Sequence, residues 1–130
     1  MSSLHFLVPF VEIVVISVMI NYLLSFFWNT LHIIPIEWLT GPLDIFWSSD
    51  WTQPPMVKAQ AVTTIHDISP ILFPESMYED TIGKTQRKRL FWAVKECSAF
   101  FCDSHATKKD LLHYYHIDPS RAYVVYPGML

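Results

Sequence analysis

A run of β-branched residues, Val62-Thr63-Thr64-Ile65, passes directly into His66-Asp67 and then into a stretch punctuated by Pro70 and Pro74. Branched side chains favour extended backbone, and a short apolar run bounded by breakers is the pattern of a buried strand. Ser69-Pro70 and Phe73-Pro74 forbid a regular continuation. In an α/β protein, a polar pair at the carboxyl end of such a strand sits where open parallel sheets bind ligands. The plainer reading of His66 and Asp67 is a turn after the strand.

The same alternation recurs along the chain. Leu43 to Trp47 reads as a strand, and Ser48 to Pro55 as a polar loop closed by a double proline. Lys84 to Cys97 reads as a helix, with Leu90, Val94 and Cys97 on one face. Lys84, Arg87, Lys88 and Arg89 then form its solvated side; a basic patch for phosphate or an anionic membrane surface is the other reading of those four. Ala99 to Cys102 is a third strand. Ser104 is the natural N-cap of a helix from His105 to about His116, with Leu111, Leu112 and Tyr115 facing the core. Ala122 to Tyr126 is a fourth strand, broken by Pro127-Gly128. Strands alternating with helices predict an α/β fold with a mainly parallel sheet and crossover helices.

The 130 residues correspond to one domain, long enough to bury a core. The charge is unevenly placed: residues 1–57 carry four acids and no Lys or Arg, whereas residues 58–130 carry nine bases and eight acids. The net charge of −3 gives no electrostatic reason to expect a nucleic-acid partner. Cys97 and Cys102 lack the second pair that a metal site needs and read as free thiols in a reducing compartment. His113 and His116 lie one turn apart without an acidic or thiol partner in register, so they read as surface residues.

Leu4 to Trp28 is almost wholly apolar and long enough to span a bilayer. Glu12 and Asn21 interrupt it, and no Lys or Arg flanks it to set an orientation. A membrane span and a buried or membrane-surface helix are both open readings. From Asn21 onward, Tyr22, Leu23, Phe26, Phe27 and Leu31 give a helical stripe leading to Pro35. Leu4 to Ile20 has no evident partner in the chain, and is expected to pack poorly and to drive association with membrane or with other copies.

Several stretches taken together resemble the N-terminal domain of family 4 retaining glycosyltransferases. They are Asp44-Ile45-Phe46-Trp47-Ser48-Ser49-Asp50-Trp51 through Pro54-Pro55, and Thr63 to Pro70 with Pro74-Glu75. Cys102 to Leu111 and Val124 to Gly128 continue the series in order and at sensible spacing. The resemblance implies a partial Rossmann-like, three-layer α/β domain, one half of a GT-B fold, preceded by an apolar N-terminal helix. It divides the chain into an apolar segment (1–30), a partial acceptor-side domain (31–126) and the start of an interdomain linker (127–130). The family's first strand and Gly-rich loop have no counterpart, since residues 1–30 contain no glycine. The C-terminal donor domain is expected to be absent, leaving a fragment that is inactive alone.

The activity implied is transfer of a hexose such as mannose or glucose, with retention, from a nucleotide sugar to a glycan or lipid acceptor. The family works without a bound metal or other cofactor, and many members act on the cytoplasmic face of a membrane, so a membrane surface is a further partner. The family's equivalent of His66 lies by the transferred sugar, which makes His66 the catalytic candidate. Departure of a nucleoside diphosphate leaves positive character on the sugar and negative charge on phosphate, so a site needs aimed donors. Ser104 and Thr107 sit at a helix N-terminus that favours an anion, with plain capping as the alternative. Asp67 orients the loop or His66. Asp50, Trp51 and Gln53 lie in a loop placed to contact an acceptor; packing of Trp51 against the domain is the alternative. Asp67, Ser104, Thr107, Asp50 and Trp51 are thus the substrate-binding candidates. A small membrane-anchored binding module of the same fold, without chemistry, is the competing function.

Overall fold

The computed structural model describes residues 4–73 and 81–128, so Pro74 and Glu75 of the family-like stretch lie outside the described residues. Helix α1 (Leu4–Ser25) runs into a π-helical turn (Phe26–Thr30) and is followed by the short helix α2 (Ile36–Thr40). Strands β1 (Ile45–Ser48) and β2 (Gln60–Ile65) come next, then the one-turn helix α3 (Ser69–Leu72). Helix α4 (Thr81–Glu96), strand β3 (Cys97–Cys102), helix α5 (His105–Tyr115) and strand β4 (Ala122–Val124) complete the order. The four strands form one all-parallel sheet in the order β1-β2-β3-β4. This is the expected α/β, Rossmann-like pattern.

The monotonic strand order fixes where the helices lie. Each parallel crossover is right-handed, so consecutive steps in one direction put α4 and α5 on the same face of the sheet. The core confirms it: Ile65, Leu90, Ala93, Phe100, Cys102 and Leu111 belong to a single buried cluster. On the opposite face Trp47 and Tyr123 flank Phe101, with ring centroids 5.3 and 6.2 Å apart, and are 63% and 51% exposed. Both cysteines are free and buried, and burial pushes their thiols up to about 12 at Cys97 and about 11 at Cys102. Such thiols stay protonated and unreactive.

The β1–β2 connection carries no helix, although its strands are parallel. It is pinned instead. The Glu37 carboxylate on α2 accepts backbone N–H groups from Val57, Lys58 and Ala59 at 2.9–3.1 Å. Those bonds, the one from Ala59 foremost, hold its pKa down at about 2. Asn29 in the π-helical turn donates to the Trp51 carbonyl (2.7 Å) and accepts from the Gln53 amide (3.0 Å). The loop that carries Asp50 is therefore fixed at both ends before any ligand arrives.

Four expectations are corrected. Helix α4 ends at Glu96, so Cys97 opens β3 rather than closing a helical stripe; Val94 is only half-buried, and Leu90 and Ala93 make the buried contact. Arg89 is not on a solvated side but 2% exposed, because it lies one helical turn from Ala93 on the apolar face. The helix near Asn21 is not a separate element: α1 is continuous from Leu4, and Tyr22, Leu23, Phe26 and Leu31 are exposed while Trp28 and Asn29 are buried. Gln53 points inward, with its side-chain oxygen accepting from the Cys97 thiol at 3.7 Å, so it is no acceptor contact.

Candidate functional site

Strands β2 and β3 end in register, Ile65 opposite Cys102. The next residue of each strand is His66 and Asp103, so the sheet itself sets an imidazole beside a carboxylate at its carboxyl edge. His66 Nδ1 lies 2.5 Å from Asp103 Oδ2. Its Nε2 lies 3.2 Å from Asp50 Oδ2, carried by the loop after β1. Three successive strand ends thus meet at one ring.

The Asp103 carboxylate accepts from Nδ1–H, and the Asp50 carboxylate adds a second negative charge as an ion pair beside Nε2, so the two together favour the imidazolium. The His66 pKa is accordingly raised above 6.5, chiefly by the bond to Asp103 and further by the charge of Asp50, against partial burial and the nearby Arg89. The ring is 56% exposed, so the charge stays within reach of solvent or a ligand. A raised pKa contributes stability that is fully present below the unfolded value near 6.5 and is lost as pH rises through the folded value. Chemical denaturation should therefore show stability declining from about pH 6 upward through the His66 titration, and His66→Gln should remove that component of the slope. A slope identical in both proteins would place the titration elsewhere.

Behind His66 the wall is charged as well. Arg89 Nε donates to the Ser49 carbonyl at 3.1 Å, and its Nη2 donates to the Thr63 hydroxyl and to the Thr64 carbonyl at 3.4 Å. Burial pushes the guanidinium pKa down, opposed by the charge of Asp50. Asp50, Ile65, His66, Asp67, Gln86 and Arg89 line a cavity of about 110 Å³. A wider groove of about 450 Å³ opens on the other side of His66 and Asp103, walled by Trp47, Phe101, Val125 and Tyr126.

The remaining candidates fall into two groups. Asp67 Oδ1 accepts from the Ser69 amide (2.8 Å) and hydroxyl (2.6 Å), so it shapes the turn into α3, and the residues that orient His66 are Asp50 and Asp103. Ser104 caps α5, accepting the Thr107 amide at 3.1 Å, while the Thr107 hydroxyl donates to the His66 carbonyl at 3.4 Å. Thr107 thereby ties the capped helix start to the end of β2. Trp51 stands apart: it lines a different groove with Val18, Asn21, Tyr22 and Thr85. His113 and His116 are exposed, and among the described residues no group of three or more His, Cys, Asp or Glu is placed to hold a metal ion.

Asp103 and Gln86 escaped the sequence reading as site residues, and Arg89 entered it only on the solvated side or basic patch of its helix. Asp103 had a signal, since a polar residue directly after β3 must neighbour the one directly after β2 once the strands pair in order. Arg89 had a fainter one in its i+4 spacing to Ala93. A family model described as Glycosyltransferase Family 4 matches residues 8–129. No curated protein matches the chain.

Proposed function

The chain belongs to glycosyltransferase family 4, and from that premise we propose that it forms the acceptor-side half of a retaining hexosyltransferase. A hexose such as mannose or glucose passes from a nucleotide sugar to a glycan or lipid acceptor, with no metal or other cofactor required. The observation that carries this reading is His66: a half-exposed imidazolium at the carboxyl edge of an all-parallel sheet, held at both ring nitrogens. The Asp50 contact at Nε2 is a longer ion pair, so a substrate hydroxyl can take its place and accept from that N–H. Asp103 keeps the ring oriented and charged meanwhile. Ser104 and Thr107 place the N-terminus of α5 beside the same edge, where amides and dipole favour a phosphate. Helix α1, apolar and long enough to cross a bilayer, seats the protein at the cytoplasmic face of a membrane.

On this reading the domain forms one wall of a cleft, so residues 1–130 by themselves should turn over no nucleotide sugar above background. It should still bind sugars weakly. Titrating methyl hexosides and nucleotide hexoses while following the His66 ring protons by NMR should shift those resonances, and Asp103→Asn should weaken the response. Robust turnover by the chain alone would overturn the half-site reading. Ring protons indifferent to every sugar would remove His66 from the site.

A further inference from the structure

Gln86 and Arg89 lie one turn apart on α4 and grip two consecutive carbonyls of the loop after β1. Gln86 Nε2 donates to the Asp50 carbonyl at 2.9 Å, and Arg89 Nε to the Ser49 carbonyl at 3.1 Å. Arg89 Nη2 donates to the Thr63 hydroxyl and the Thr64 carbonyl, in the two residues of β2 that stand three and two places before His66. One buried guanidinium therefore joins the loop that carries Asp50 to the strand that carries His66. A charge so deeply buried is costly unless its geometry is put to use; an apolar residue of similar volume packs a core as well or better.

We propose that Arg89 is a positioning residue: with Gln86 it clamps the Ser49–Asp50 carbonyls against β2 and so sets the Asp50 carboxylate at the Nε2 edge of His66. Its consequence for sugar transfer rests on the reading of His66 given above, whereas the clamp itself does not. Among the described residues, the charged groups facing His66 are Asp50 from the β1 loop, Asp103 from the β3 end, Arg89 from α4, and Asp67 next in the chain, whose carboxylate is engaged with Ser69.

The test separates position from charge. Arg89 as a bare cation disfavours the imidazolium, so simply deleting its charge raises the His66 pKa. Loss of the clamp acts in the opposite direction, because Asp50 drifts from Nε2. Arg89→Lys keeps the charge and loses the planar fork. Thr63→Val, close to isosteric, removes one acceptor of that fork. His66 is titrated by NMR in the whole chain, with Asp50→Asn giving the full effect of losing the Asp50 charge and amide spectra confirming the fold. Arg89→Lys should lower the His66 pKa by a large part of the Asp50→Asn shift, and Thr63→Val by a smaller part. A His66 pKa that is unchanged or raised in Arg89→Lys overturns the proposal, and should that variant not fold, an unchanged value in Thr63→Val does so. Because the readout is the imidazole, failure of the sugar-transfer reading leaves this result interpretable.

Discussion

Replacing His66 with alanine is expected to lower kcat by about ten- to a thousandfold wherever the assembled enzyme transfers sugar, the loss of roughly one transition-state donor. The fold should survive. The ring is more than half exposed and fills no core space, and its backbone carbonyl, which accepts from Thr107, is retained. KM should change far less than kcat, because a donor aimed at developing charge acts chiefly in the transition state. His66→Gln, which keeps an N–H donor but no charge, should fall between wild type and alanine. Steady-state kinetics of the three proteins, with circular dichroism as the fold control, decide the matter. Unchanged activity in His66→Ala would reduce the residue to the turn that its position after a strand first suggests.

The strands and the carboxyl edge of the sheet that carries His66 were legible because period and punctuation act locally. Val62 to Ile65 is branched and ends at His66, and Ser104 caps α5 as its hydroxyl dictates. What the sequence hid is tertiary. Nothing in Lys84-Thr85-Gln86-Arg87-Lys88-Arg89 marks one cation of four as buried; Arg89 turns inward because Ser49 and Thr63, distant in the chain, offer acceptors there. Asp50 and Asp103 bracket His66 only after β1, β2 and β3 have paired side by side. Trp51 belongs to the same short loop as Asp50 yet faces a different groove, since Asn29 holds its carbonyl from another side. The turn chemistry of Asp67 was likewise readable, and its hydrogen bonds to Ser69 are those of a residue shaping a loop.

Helix α1 should divide sharply into a dispensable part and an essential one. At 22 residues and 1.5 Å per residue it is about 33 Å long, close to the roughly 30 Å hydrocarbon core of a bilayer. Every residue from Glu12 to Leu23 is exposed, with apolar side chains on all sides of the helix, so this stretch adds little to the packed domain. Deleting residues 1–20 should therefore raise the soluble fraction on expression and leave the remainder as folded as before. The continuation is different. Trp28 is 7% exposed and its indole donates to the Ile34 carbonyl, while Asn29 holds Trp51 and Gln53 and its own carbonyl accepts from Trp92. Losing a buried Trp costs about 3–5 kcal/mol. Leaving the buried Gln53 amide without its partner adds about 1–3 kcal/mol. Together these approach the whole stability of a small domain, about 5–15 kcal/mol. Deleting residues 1–30 should thus abolish cooperative unfolding and open the chain to rapid proteolysis, where the shorter deletion does neither. If removing residues 1–20 alone unfolded the protein, the exposed half of α1 would have to be a core element, and its assignment to a membrane would fail with it.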